Sequence, residues 1–555
     1  MREATQGAER PRGLSVLLYG PVQQENLALQ YLVGAARAAG HRARVVSYAD
    51  RSELSSAIAA MKEDAPALIG LGIAFQNNID DYLTLARALR EHGFAGHLTC
   101  GGHVPTFCHE ELMDDVPEID SVVRHDGELT LLEMLACLEK GKPVVDLPGL
   151  VWRDADGTVQ QGPIRAAVAD LDAIAWPARS ERNYSVAGIA VDFVITARGC
   201  VGECNYCSIA AYTTEQKKRY RLRRPGAVAD EIAALYHERG SRVFFVQDDL
   251  FVLPKEDRAV ERIEQLSSEL RRRSVTDAVF WVKGRPESIT PRVCTALKQM
   301  GVIHLFLGVE SAAPERLEYL GRTHLPEDNV SALRNCAAAG IVPSFNFMLF
   351  DPDCDLADVE QTLRLGDAHL DCPWNLCRTE VYSGTALRDR LAAEGRLEGD
   401  YRSYGYRMRD ERAEVLFRIL RVSLHERALA VESLLNRLIS LSFARQLHQH
   451  FFPGATSDAL GRSVSALGEE TRRDTLQQVR DAMAFVQREA LGDPRAVQRF
   501  AVEQALRINA ADAERRRRCE ELWQHLHLRG TLQMVRRGVV LSPGQRADFG
   551  VASGS

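Results

Sequence analysis

The sequence predicts an α/β protein of three parts in series: a doubly wound parallel sheet, a partial (β/α)6 barrel and a helical carboxyl-terminal domain. Two observations predict the first two parts: short apolar runs rich in β-formers alternate with helical patterns, once over residues 14–140 and again over 191–383. A third predicts the last part. Beyond Gly384 the strand signals fade into stretches rich in Arg, Glu, Leu and Ala.

Residues 1–13 are polar, carry charges of both signs and are expected to be disordered. The first series follows, with runs at Leu14 to Tyr19, Arg44 to Tyr48, Ala67 to Ile73, His97 to Cys100 and Ile119 to Val123. In its first helix Ala28, Tyr31, Leu32 and Ala35 fall at the spacing of one buried face. Residues 141–190 break into Pro- and Gly-bearing turns and read as a linker, with an Asp156-Gly157 hairpin signal between Leu150-Val151-Trp152 and Thr158-Val159. The second series has runs at Val191 to Thr196, Arg242 to Gln247, Ala278 to Val282, Ile303 to Val309, Val342 to Leu349 and Leu376 to Tyr382. Repeated βα units of this kind suit a full or partial barrel, with its reactive groups at the carboxyl ends of the strands. Residues 384–555 carry long helical patterns such as Glu411 to His448 and Arg472 to Leu491, and the last dozen residues read as frayed.

Bulk composition excludes several function classes. A net charge of -7 and a pI near 6.1 give no reason to expect nucleic acid or an anionic membrane as partner. Arg515 to Arg518 is flanked by Glu514, Glu520 and Glu521 and reads as a solvated helix face. The sequence shows neither a secretory pattern nor an apolar run long enough to cross a bilayer, so a cytoplasmic protein is expected. Twelve cysteines, mostly scattered, then read as reduced thiols with one set spent on a metal.

That set is Ala197-Arg-Gly-Cys200-Val-Gly-Glu-Cys204-Asn-Tyr206-Cys207, which follows a strand pattern and places three thiols within eight residues. A cubane iron-sulfur cluster held by three thiolates keeps one iron without a protein ligand, the open position a catalytic metal needs. A structural zinc site would want a fourth Cys or His at matching spacing, and none sits close in sequence. The spacing, with an aromatic before the last cysteine, resembles the signature of the radical SAM superfamily over roughly Val191 to Tyr382. The resemblance implies a [4Fe-4S] cluster whose open iron chelates S-adenosylmethionine, and an external electron donor such as flavodoxin or ferredoxin. It also implies contacts to S-adenosylmethionine from Tyr206, from Asp248 or Asp249 where the family has a Gly-Gly-Glu type segment, and from Glu310 and Ser311. Arg285 and Arg322 would neutralise the carboxylate. Phe350 stands where many members have glycine.

In the first part, Cys100-Gly101-Gly102-His103 follows a strand and precedes Gly127-Glu128 and a helical pattern over Leu129 to Leu138. Paired glycines let a backbone approach a bulky ligand closely. Together with Leu147-Pro-Gly149-Leu-Val-Trp152, these segments resemble the cobalamin-binding domain fused to many radical SAM enzymes. That resemblance implies cobalamin as a further cofactor, with Gly101, Gly102 and His103 against its nucleotide tail and Phe75, Gln76 and Asn77 beneath the corrin ring. Gly127 and Glu128 belong to the same implied site. The sequence lacks the Asp-x-His-x-x-Gly motif, so no histidine is expected below the cobalt.

The two resemblances together imply a cobalamin-dependent radical SAM methyltransferase. Such an enzyme methylates an unactivated carbon of a small molecule or natural-product intermediate through a 5'-deoxyadenosyl radical and methylcobalamin. A cobalamin-dependent rearrangement, cyclisation or redox step is the first alternative. A cobalamin sensor with an inactive barrel is the second, and the intact cysteine triad speaks against it. A tRNA methylthiotransferase would need a second cluster motif and a basic RNA-binding module, and neither is present. The helical carboxyl-terminal domain is expected to cap the substrate.

Overall fold

A computed structural model describes residues 13–181, 183–488 and 493–536. The expected disorder before residue 13 and the expected fraying of the last dozen residues lie outside the described residues. The first sheet contains β1 (Ser15–Gly20), β2 (Arg42–Ser47), β3 (Leu68–Gly72), β4 (His97–Gly101), β5 (Ser121–Val123), β6 (Leu150–Arg153) and β7 (Val159–Gln161), in the order β2-β1-β3-β4-β5-β6-β7. β1 to β5 run parallel. Every residue of β1 is buried, as expected for a strand covered by helices on both faces. The order reverses direction between β1 and β3, and such a switch point opens a crevice at the carboxyl ends of the strands. β6 and β7 form the expected hairpin, but β6 pairs antiparallel with β5, so the hairpin completes the first sheet. Residues 184–190 already belong to the second sheet, so only residues 162–183 connect the two.

The second sheet contains β8 (Tyr184–Val186), β9 (Ile189–Val194), β12 (Val243–Val246), β13 (Val279–Gly284), β14 (Val302–Glu310), β15 (Val342–Phe350) and β16 (Trp374–Arg378), while β10 (Ala197–Gly199) and β11 (Tyr220–Leu222) form a separate hairpin after β9. From β9 to β16 the six long strands are parallel, giving the six βα units of the partial barrel. Alternation sends Phe244, Val246, Phe280, Val282, Leu305 and Leu307 outward into the core beneath the helices. Phe245, Trp281 and His304 turn inward as a set of packed rings.

The amino-terminal half of this lumen is filled by the carboxyl-terminal domain. Phe443, on the helix Leu434–Phe451, packs against Phe245 and His304 with ring centroids 5.2 and 5.4 Å apart. Gln446 of the same helix lies 3.2 Å from His304 Nδ1, and His304 Nε2 lies 2.7 Å from Ser344 Oγ. Burial holds this imidazole neutral, at a pKa of about 4. The plug leaves only the carboxyl half of the barrel open for chemistry.

The carboxyl-terminal region differs from its sequence reading in three places. A two-stranded hairpin, β17 (Leu397–Asp400) and β18 (Ser403–Tyr406), lies within residues expected to be helical. The helical pattern from Glu411 to His448 is broken at a π-turn, His425–Leu429, between the helices Glu411–Ser423 and Leu434–Phe451. Of the four arginines read as a solvated face, Arg517 pairs along its own helix with Glu514 and Glu521, but Arg515 and Arg518 reach across to Glu470 on the helix Ala455–Arg488. Among the described residues no helix is long and apolar enough to cross a membrane.

The π-turn is explained by Arg427, which is fully buried and forked onto the equally buried Asp512 at 2.8 and 2.6 Å, with Asp474 2.8 Å away. Replacing Arg427 with Met removes the forked partner of the buried Asp512 and leaves it only Arg515, 3.0 Å away, and a cost of about 3–5 kcal/mol is expected. Urea unfolding checks this, and pairing the change with Asp512→Leu is expected to recover part of the loss.

Candidate active site between the two sheets

The three clustered cysteines sit on a loop fixed at both ends. The backbone leaves β9 and is turned into β10 by Asp248, whose carboxylate accepts hydrogen bonds from the amides of Thr196 (2.6 Å) and Ala197 (3.0 Å) and from the Thr196 hydroxyl (2.5 Å). Burial pushes Asp248 up to a pKa of about 6 against the pull of those donors. Gly199, at φ +88°, closes β10; a Cβ there would lie 2.2 Å from the Arg219 carbonyl, so only glycine fits. Cys200 to Cys207 follow, then the helix Ser208–Glu215, and β11 returns to pair antiparallel with β10.

Around the thiols the surroundings are cationic and rich in N–H donors. Gly202 N donates to Cys200 Sγ at 3.3 Å, and Arg322 Nη1 approaches Cys204 Sγ at 3.4 Å. Arg285 Nη1 lies 3.9 Å from the same sulfur. Burial nonetheless raises the Cys200 thiol and pushes Cys207 up to about 11, so a bound cation is needed to hold them as thiolates. Among the described residues, the three-ligand group with donor atoms all within 4.8 Å is His369, Asp371 and Cys372, not the loop triad. The loop thiols thus do not close around one small ion, and they fit a cluster that spreads its ligands.

The remaining residues expected near S-adenosylmethionine divide into two groups. Asp248 is spent on the β9–β10 corner, and Ser311 turns into the protein, 3.2 Å from Thr362 Oγ1 and accepting from Ala313 N. Arg285 is bound to Glu287 (2.6 Å) and Thr323 (2.9 Å), Arg322 faces Glu310, and both guanidinium groups approach Cys204 Sγ, so each arginine already has partners within the fold. Asp249, Tyr206 and Glu310 remain. Asp249 is exposed to the cavity and accepts from Gly199 N at 3.2 Å. Tyr206 donates its hydroxyl to Glu310 Oε1 (3.2 Å), which also faces Arg322 Nη2 at 3.6 Å. Glu310 lies at a β-bulge with φ +59°, a strained conformation for a carboxylate residue and one that clusters at functional sites.

A cavity of about 330 Å³ opens between the carboxyl ends of the first sheet and this loop. Gly72, Gly101, Gly102, His103 and Gly127 line one side, and Ala197, Gly199, Ile209, Tyr212 and Asp249 the other. Gly102 has φ +119°, and a Cβ there would lie 2.3 Å from the Ile73 carbonyl. Ala28, Tyr31 and Leu32 face this cavity too, Leu29 lies between it and the core behind β1, and Val33 and Ala36 enter that core. The apolar face read as core is therefore largely a ligand wall. An adjoining cavity of about 280 Å³ is lined by Phe75, Gln76, His103, Phe107, Ile209 and Tyr382. Asn77 lines neither, and the Gln76 amide donates to the Tyr401 carbonyl at 2.9 Å. The Nδ1 atoms of His103 and His125 are buried without a partner beside the larger cavity. Bare backbone, apolar walls and two unsatisfied imidazole nitrogens fit a large flat cofactor with a polar tail.

Residues the sequence reading passed over hold the two halves together. Arg198 pairs with Glu128 (2.6 Å), Arg221 with Asp126 (2.6 Å), and Glu215 with Arg124 (2.8 Å) and His125 (3.0 Å). Glu128 is thus a partner of the cysteine hairpin. Arg198 stands two residues before Cys200, and its charge beside the motif was the one available signal. Tyr212, packed on His103 with centroids 4.9 Å apart, had none.

Asp248 and Asp249 are expected to separate structure from ligand binding. Asp248→Ala leaves two buried amides without an acceptor, costing about 1–3 kcal/mol and iron retention; Asp249→Ala is expected to keep fold and iron but to bind S-adenosylmethionine more weakly. Thermal unfolding, iron content and equilibrium binding read the contrast.

Comparison with known proteins agrees with this geometry. Residues 194–366 match the model of the Radical SAM superfamily, and residues 17–135 that of the B12 binding domain. An uncharacterised methyltransferase of Pyrococcus horikoshii is 27% identical over 344 residues, 61% of this chain and 72% of that one. The anaerobic magnesium-protoporphyrin IX monomethyl ester cyclase of Rubrivivax gelatinosus is 26% identical over 275 residues, about half of each chain (48% and 48%). The solved structure of the cobalamin-dependent S-adenosylmethionine radical enzyme OxsB shares the fold with a TM-score of 0.64 at 16% identity, over 94% of this chain and 84% of that one. With the segments that flank its cysteine loop and a glycine-lined crevice forming the walls of one cavity, this chain belongs to the radical SAM enzymes that carry a B12-binding domain, and its cofactors are a [4Fe-4S] cluster, S-adenosylmethionine and cobalamin.

Proposed function

We propose that this enzyme transfers a methyl group to an unactivated carbon of a small molecule. The observation that carries the reading is the cavity whose walls come from both cofactor-binding halves, so that a substrate between them meets both reaction partners. The likeness to a methyltransferase over most of that protein supports it. When bound, the cluster with S-adenosylmethionine supplies a hydrogen-abstracting radical, and cobalamin supplies the methyl group.

The chain's own residues orient and enclose. Cys200, Cys204 and Cys207 hold the iron, with Arg285 and Arg322 offsetting its thiolate charge. Asp249, Tyr206 and Glu310 offer acceptors and a hydroxyl to S-adenosylmethionine, Glu310 being fixed by Arg322. Gly101, Gly102 and His103 receive the cobalamin tail, and Phe75, which is 61% exposed, presents a bare ring beneath the corrin. The Phe443 plug keeps water out of the lower lumen, and the ion pairs between the halves fix the distance between the two cofactors.

Incubation of the reduced, loaded enzyme with candidate substrates and S-methyl-deuterated S-adenosylmethionine is expected to yield product carrying three deuterons. Turnover without label would favour a ring-forming or redox step, the second reading, which the cyclase relative supports. A second expectation concerns the cobalt. The Phe75–Gln76 loop brings no histidine of its own and Gln76 is tied to Tyr401, so the paramagnetic cobalt(II) form is expected to show no nitrogen superhyperfine splitting from a protein ligand. Splitting by one nitrogen that changes when the histidines are labelled with nitrogen-15 would place His103 or another imidazole on the metal, whereas splitting that does not change comes from the cofactor's own base.

A further inference from the structure

We propose that the turn Lys217-Lys218-Arg219 is the docking surface for an acidic, low-potential electron-transfer protein, which delivers one electron at a time to the cluster held by Cys200, Cys204 and Cys207. The inference rests on the cluster assignment and adds where its electrons enter. In each delivery the carrier is oxidised by one electron, the cluster is reduced by one, and no atom changes hands. That electron then breaks a carbon-sulfur bond of S-adenosylmethionine.

Three observations point to this place. The first is position: β11 begins at Tyr220, which pairs with Gly199, so the turn stands beside the residue preceding Cys200. The Arg219 carbonyl is the atom that leaves Gly199 no room for a Cβ. The second is access. Val201 is 37% exposed and Glu203 is exposed, so the stretch between the first two cysteines forms the outer skin of the site, while Cys204 is buried behind it. On the other side Gly199, before the loop, and Ile209, after it, line the interdomain cavity. A protein partner therefore comes nearest the cluster here.

The third is charge. Six of the eleven residues from Thr214 to Arg224 are Lys or Arg, in a chain whose net charge is -7. Arg221 and Arg223 are buried and paired, and Arg224 is held by Asp172. Arg219 pairs with the exposed Glu203. Lys217 and Lys218 are exposed, and among the described residues no carboxylate pairs with either. Lys217 sits at φ +54°, so the turn is held in a tight left-handed bend that sets both side chains outside the hairpin. Unpaired surface ammonium groups contribute nothing to the fold, but they steer an acidic partner and set its on-rate.

The test uses holoenzyme, a flavodoxin as the probe, and the double variant Lys217→Glu/Lys218→Glu, with Lys217→Gln/Lys218→Gln as the milder change. Isothermal titration calorimetry is expected to show flavodoxin binding weakened about tenfold or more at low salt by charge reversal, less by neutralisation, with the difference closing as salt rises. Deoxyadenosine formation driven by reduced flavodoxin is expected to fall in parallel. Formation driven by dithionite, which needs no docking surface, is expected to match the unaltered enzyme. Unchanged flavodoxin affinity in both variants would overturn the proposal, and so would loss of the dithionite-driven rate, which would make the lysines supports of the cluster. Failure of dithionite to drive cleavage in the unaltered enzyme would count against the cluster reading instead, while the calorimetry still judges the surface.

Discussion

The architecture depends on a small set of buried ion pairs that bind the cysteine-bearing hairpin to the first domain. Arg198 and Arg221 project from β10 and β11 onto Glu128 and Asp126, at the carboxyl end of β5, and Glu215 returns the contact to Arg124 and His125. Except for the partly exposed Glu215, these groups are largely withdrawn from water, where an unpaired charge costs several kcal/mol. The pairs therefore work less as a source of stability than as a constraint: any rotation of one sheet against the other strands a charge. Arg198 also lies over the Tyr31 ring at 5.1 Å, extending the constraint to the wall of the cavity.

From that constraint the division of labour around the site follows. Each half is built so that its backbone, rather than its side chains, approaches the cofactors. In the first domain, glycines at 72, 101, 102 and 127 clear the crevice at the switch point of the sheet. In the second, the loop is drawn tight by Gly199 and by the Asp248 corner, and its sulfurs are met by amides and two guanidinium groups. Side chains with free acceptors, Asp249 and Glu310, come at the ends of β12 and β14, where a barrel keeps its working groups. The helical domain closes the opposite end of the lumen with Phe443 and Gln446.

The site residues read from the sequence separate on one physical criterion, whether a polar group is already satisfied within the fold. Asp248 and Ser311 have partners, as do Arg285 and Gln76, and each holds backbone or a neighbouring side chain in place. Asp249 and Glu310 have partners as well, Gly199 N and the Tyr206 hydroxyl, but these engage only one oxygen of each carboxylate. Linear spacing places all of these at strand ends, but only the packed structure shows which ones have capacity left for a ligand. The same holds for Ala28, Tyr31 and Leu32, whose apolar spacing is that of a core face although their neighbour is a cavity.

By itself the sequence determined the two series of βα units, the six barrel strands, the cysteine loop and the glycine pair, because each is a local pattern: a period of burial, a spacing of ligands, a residue without a Cβ. It missed β8, β10, β11 and the β17–β18 hairpin. These strands are short, and their pairing depends on a neighbour that the rest of the chain supplies. Only the tertiary structure decided that the β6–β7 hairpin closes the first sheet, that Arg427 breaks a helix to reach Asp512, and that Glu128 answers to Arg198. Each of those contacts joins residues far apart in the chain, and a charge or a strand edge takes its meaning from the partner that folding brings to it.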